Sequence, residues 1–129
     1  MKKTFQKIAV VTFAVAFLFA SCKKDKQIIP DDNEAAKPYE TGVFIVNEGP
    51  FQSGTGTVSF FNRSSKVVKQ DIFNTENNRP IGNIAQTMTI YNDKAYIVVN
   101  NSAKVEVVNA KTFKPIAVIN GMNLPRFFA

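Results

Sequence analysis

No histidine occurs anywhere in the sequence, tryptophan is also missing, and cysteine appears once, at Cys22. Without imidazole there is no Ser-His-Asp or Cys-His arrangement, and the common zinc ligand sets cannot be assembled from these residues. A lone cysteine also rules out a disulfide within the chain. No glycine-rich phosphate loop leads into a helix, and Asp31, Asp32 and Glu48 have no partner carboxylates at catalytic spacing. They read as solvated surface charges, so no catalytic residue, metal ligand or cofactor is expected in this stretch. Apolar runs are short as well, none reaching the roughly 20 residues a membrane-spanning helix needs.

What is present begins with a leader. Lys2, Lys3 and Lys7 precede residues 8–20, thirteen positions that are apolar except for Thr12, and the small residues Ala20 and Ser21 stand directly before Cys22. That order is the pattern of a secretory signal peptide with its processing site. The stretch FASC resembles the lipobox of bacterial lipoproteins. The resemblance implies that residues 1–21 are removed, that Cys22 carries the lipid, and that several acyl chains anchor the protein to a membrane.

Removing the leader changes the electrostatics. Three of the 16 basic residues lie in it, which leaves 13 against 10 acidic residues, a balance of about +3. The remaining charges are interspersed, so no nucleic-acid partner is expected. Residues 23–40 carry two prolines and nine charged residues without periodicity, which suits a solvated spacer, and the tether is expected to span 22–41. The Lys-Lys-Asp-Lys run after Cys22 resembles the residues that follow the lipidated cysteine in Bacteroidetes lipoproteins. It implies an outer-membrane address and exposure at the cell surface, with a periplasm-facing anchor as the alternative.

From Gly42 the texture becomes short runs of Val, Ile, Phe and Tyr separated by Asn, Gly, Ser and Asp, the pattern of strands and tight turns. Strands are expected over 43–47, 57–62, 67–73, 87–91, 95–100, 104–109 and 115–119, with no helix outside the leader. Asn92-Asp93 suits a two-residue hairpin, and Asn62 and Asn109 open turns in which their side chains can bond the local backbone.

These strands repeat. Residues 56–72 align without a gap on 103–119 at an offset of 47, pairing Val58 with Val105, Phe60 with Val107 and Asn62 with Asn109. Phe44-Ile45-Val46 falls on Tyr96-Ile97-Val98 at an offset of 52, so the first copy holds five extra residues near Pro50 to Gly54; NIAQTMT at 83–89 sits on NLPRFFA at 123–129, at an offset of 40. Four short strands per unit at such spacing predict an all-β fold of β-propeller blades, with two similar hairpins in a small sandwich as the alternative.

The phrases Phe44-Ile45-Val46-Asn47 and Tyr96-Ile97-Val98-Val99-Asn100 resemble the Tyr-Val-Thr-Asn motif of YVTN-repeat, or YncE-like, seven-bladed propellers. Together with the leader they resemble propeller surface lipoproteins of Bacteroidetes, a group that includes cobalamin-binding proteins accompanying outer-membrane transporters. The resemblance implies that 42–129 is the N-terminal part of a propeller, about two blades, beginning at a second strand and shorter than a closed ring of about 300 residues. It also implies that the loops 47–56, 74–86, 100–103 and 120–126 share one face. Candidate ligand-binding residues there are Glu48, Phe51, Gln52, Gln86, Asn100, Asn101 and Arg126, with Phe51 and Gln52 on the insertion offering an aromatic and an amide. The expected function is non-enzymatic capture of a small nutrient, a cobalamin-like ligand included, or of a protein partner such as a transporter. The alternative is a propeller enzyme, a lactonase or quinoprotein-like oxidoreductase, whose catalytic groups lie in other blades.

Overall fold

Alternation of β-branched and aromatic residues with small polar ones yields seven strands in a computed structural model that describes residues 37–51 and 53–128. In chain order they are β1 (Gly42–Asn47), β2 (Thr57–Asn62), β3 (Val68–Lys69), then a short helix α1 (Ile72–Asn77), then β4 (Ala85–Tyr91), β5 (Lys94–Val99), β6 (Lys104–Asn109) and β7 (Pro115–Asn120). They form two antiparallel sheets of order β1-β2-β3 and β4-β5-β6-β7. Each is a meander, as blades of a propeller are.

The repeat holds down to single hydrogen bonds. Asn62 Oδ1 accepts from the backbone N–H groups of Ser64 and Ser65 at 2.8 and 2.9 Å, and Asn109 Oδ1 accepts from those of Lys111 and Thr112 at 2.9 and 3.0 Å. Asn62 N–H donates to Val67 O and Asn109 N–H to Lys114 O, both at 2.9 Å. Lys66 and Phe113, again 47 apart, both take left-handed backbone angles, φ 60° and 57°. Between β4 and β5, Asn92 and Asp93 adopt φ 47° and 58°, the pair of positive angles that a tight hairpin turn requires.

The sheets pack face to face. Val58 and Phe60 of the first sheet, with Phe44 and Val46 beside them, share one core with Ala95, Ile97, Val99 and Val108 of the second. A second cluster, Val98, Val105 and Val107 with Tyr96 and Met122, lies on the opposite face of the second sheet, because neighbours along a strand point to opposite sides.

Three expectations are corrected. The strand expected over 67–73 shrinks to the two residues of β3, since Asp71 adopts a left-handed φ of 44° and its side chain accepts from Asn74 N–H, starting α1 instead. The expectation of no helix outside the leader fails for the same reason: Ile72 and Phe73, buried in the inter-sheet core, sit on α1. The tether expected over 22–41 is not a spacer to its end. Tyr39 is 3 % exposed, meets Phe60 and Phe113 edge-on at 5.3 and 5.7 Å, and its N–H bonds Lys111 O at 3.1 Å. The leader and Cys22 lie outside the described residues.

Candidate functional site

Strands of six residues are about 20 Å long, which separates the domain into two ends of different chemistry. One end gathers the β1–β2 loop, the segment from α1 to β4, the β5–β6 turn and the residues after β7. Gly56 N–H donates to Gly82 O at 2.8 Å and Asn100 N–H to Ile84 O at 2.8 Å, stitching neighbouring loops through the backbone. Gly56 has to be glycine at this seam, because an added Cβ would lie 2.6 Å from both the backbone N and the Cβ of Ala85.

Side chains complete the seam. Gln86 Nε2 donates to Glu48 Oε1 at 2.7 Å, joining two candidates from different sheets. Asn101 Nδ2 donates to Asn83 Oδ1 at 2.8 Å, while Asn83 Nδ2 donates to Gly54 O at 2.7 Å and Asn83 N–H to Ser102 Oγ at 2.9 Å. Asn100 Nδ2 donates to Pro125 O at 2.8 Å. Five of the seven candidates, Glu48, Phe51, Gln86, Asn100 and Asn101, thus occupy this end, and Arg126 lies exposed beside Pro125. Gln52 lies outside the described residues. Phe51 is 75 % exposed, an aromatic plane standing in water on the inserted loop.

The expected loop 74–86 divides. Its later residues, from Gly82, join the seam, whereas 74–77 belong to α1 and face the other end, where Asn77 Nδ2 donates to Phe113 O at 3.1 Å. Asn83, the centre of the seam, was missing from the candidates. Its signal was available, since Asn83 and Asn123 coincide in the offset of 40.

This end can present a carboxylate, several amides, a guanidinium and an aromatic ring to a hydrogen-bonding ligand. Part of its amide capacity is already spent between loops, so a ligand would meet the remaining lone pairs and N–H groups together with Phe51. Among the described residues no group of three or more Asp, Glu, Cys or His could hold a metal ion.

The opposite end is closed by packing and charge. Tyr39 Oη donates to Glu76 Oε1 at 2.8 Å, Lys114 Nζ meets Glu76 Oε2 at 2.8 Å, and Lys69 Nζ stands 5.5 Å from the Tyr39 ring centre. Burial pushes the Tyr39 phenol well above its ordinary value of 10.0, and the Glu76 carboxylate pushes it further. Between the sheets, the buried Glu106 receives both guanidinium nitrogens of Arg79 at 2.7 Å and Lys104 Nζ at 2.6 Å. Burial opposes its ionisation, but the hydrogen bonds and charges of Arg79 and Lys104 outweigh that and hold its carboxyl below the ordinary 4.5.

The family model described as Domain of unknown function (DUF5074) matches residues 41–129. No curated protein matches the chain.

Proposed function

The chain belongs to the DUF5074 family, and we propose that it is a non-enzymatic binding module of a YncE-like propeller lipoprotein, held at the outer membrane through lipid on Cys22. Its work is to capture a small hydrogen-bonding nutrient, with cobalamin the first to try, and to present it to an outer-membrane transporter. The single observation that carries this reading is the division of the two ends. The polar seam with exposed Phe51 stands at one, and residues 37–41, which continue the expected tether, are fastened by Tyr39 at the other. A lipid anchor reached through that tether leaves the seam pointing away from the membrane surface.

The test uses lipidated protein in vesicles titrated with cyanocobalamin by calorimetry. Binding is expected, and Phe51→Ala is expected to weaken it about tenfold, the loss of one stacked aromatic contact. No heat from the wild-type chain removes cobalamin as the ligand. Orientation has its own measurement: Asn101→Cys on intact cells should react with a membrane-impermeant maleimide. Reaction only after lysis would turn the anchor toward the periplasm. Lipidation itself is read from accumulation of the unprocessed precursor under globomycin, and an unchanged size together with no incorporation of a palmitate analogue would overturn it.

A further inference from the structure

Asparagine side chains tie much of this domain together. Asn62 and Asn109 accept from their own turns, Asn77 Nδ2 donates to Phe73 O and Phe113 O, and Asn83, Asn100 and Asn101 are bound within the seam. Asn120 differs in two respects. It is exposed at the end of β7, and it is the one asparagine in the sequence followed directly by glycine. Gly121 takes a left-handed φ of 78°, and a Cβ added there would meet no atom within 4 Å. Glycine leaves its own nitrogen unshielded by a side chain. The neighbouring N–H of Met122, rather than that of Gly121, holds Ala103 O at 3.1 Å.

The register fixes which way Asn120 faces. It stands opposite Lys104 of β6, as Val118 stands opposite Glu106, and directly opposed residues share a face with Cβ atoms about 4.5–5.5 Å apart. Lys104, Glu106 and Val108 alternate along β6 onto the side of the first sheet, where Val108 joins the inter-sheet core, while Val105 and Val107 lie on the opposite face. β7 also stands at the far edge of its sheet from β4. Asn120 is therefore open because it lies at the rim, on the face whose neighbour is the first sheet and not on the face where a following blade would pack.

We propose that Asn120-Gly121 is a modification site, at which the asparagine deamidates and the new carboxylate takes Lys104 as its partner. The Gly121 nitrogen loses its proton to solvent and attacks Asn120 Cγ. The new N–Cγ bond closes a five-membered succinimide, and the Cγ–Nδ2 bond breaks as Nδ2 takes up a proton and leaves as ammonia. Water then opens the ring. Attack at Cγ leaves aspartate, whereas attack at the main-chain carbonyl carbon leaves isoaspartate, whose backbone runs through Cβ and Cγ. Either product is an anion beside Lys104, whose Nζ already holds the buried Glu106 at 2.6 Å. Isoaspartate also lengthens the link from β7 to residues 121–126, where Asn100 Nδ2 holds Pro125 O in the seam.

The full chain in mild detergent, incubated in mildly alkaline buffer, is digested and mapped by mass spectrometry, with isoaspartate read by methyl transfer from an isoaspartyl methyltransferase. Conversion is expected at Asn120 and should be about tenfold slower at Asn74 and Asn123, which are also exposed but precede residues with side chains. Asn120→Gln, which would have to close a six-membered ring, should abolish conversion at that position. An unmodified Asn120, or conversion no faster there than at Asn74 and Asn123, overturns the site. The partner is tested with Asn120→Asp. Its carboxyl should titrate, by nuclear magnetic resonance, below the ordinary aspartate value of about 3.9. Lys104→Gln should return it toward that value and Lys104→Arg should not. A carboxyl that is not lowered, or that is unmoved by Lys104→Gln, overturns the pairing.

Discussion

The turns leaving β2 and β6 share the hydrogen bonds made by Asn62 and Asn109, yet their left-handed residues have opposite fates. Lys66 stands in solvent after the first, while Phe113 after the second is fully buried, stacked on Phe44 at 5.3 Å and edge-on to Tyr39. The repeat therefore dictates the path of the chain, and the neighbours of each unit decide which side chains become core. The second turn has Tyr39 and α1 against it; at the first, Lys66 is exposed.

Phe113→Ala sharpens this difference most. Truncating a fully buried phenylalanine should cost about 4 kcal/mol, read as a shift in the denaturant midpoint of the full chain at fixed protein concentration. Lys66→Ala, in the same backbone, should move it by less than about 0.5 kcal/mol. Similar losses at the two sites would mean that the Phe113 side of the junction is not the core it is described to be.

A second contrast lies in the strands that lead into these turns, where Ser59 of β2 corresponds to Glu106 of β6. Glu106 is 1 % exposed and relies on Arg79, whose own side chain is 39 % exposed. Removing one partner of a buried pair costs about 3–5 kcal/mol, but Lys104 remains and Arg79 is partly solvated, so Arg79→Ala should cost about 2 kcal/mol. The pH dependence has a fixed sign. Because folding lowers the Glu106 carboxyl from 4.5, its contribution is present above that value and disappears as pH falls through the lowered one. Arg79→Ala should therefore flatten the loss of stability in acid; an acid profile as steep as that of the wild type would remove this pair as its source.

The strands were legible because period-two alternation and turn asparagines are local signals, and the boundaries of β2 and β6 agree with the expected 57–62 and 104–109 to the residue. What was missed depends on contacts between distant residues. Ile72 and Phe73 look like strand residues until Asp71 turns the backbone left-handed and caps α1. Tyr39 sits in a charged, proline-containing stretch, and only Phe60, Phe113 and Glu76, 21 to 74 residues away, make it core. The loop end was legible as a location, through the inserted Phe51 loop and the repeat. Its wiring was not, since the Glu48–Gln86 and Asn83–Gly54 bonds join sheets that the local pattern does not orient.

The shared part of the turns can be probed where both units should respond alike. Asn62→Ala and Asn109→Ala each remove an acceptor of two backbone N–H groups, and each should cost about 1 kcal/mol. A loss confined to one of them would show that the second turn is held by Phe113 rather than by its asparagine.

The smallest effect is also the most selective. Lys66 and Phe113 both pay for a left-handed backbone that a side chain with a Cβ disfavours by about 1–2 kcal/mol and that glycine adopts freely. Lys66 has no burial to offset this, so Lys66→Gly should stabilise the chain by about 0.5 kcal/mol, the relief of strain less the added entropy of the unfolded glycine. Phe113→Gly relieves the same strain but forfeits the ring between Tyr39 and Phe44, and the packing loss dominates. Opposite signs at two positions with nearly the same φ, measured in parallel unfolding curves, are what a common backbone carrying different cores requires; two losses would place Lys66 in contacts its exposure does not suggest.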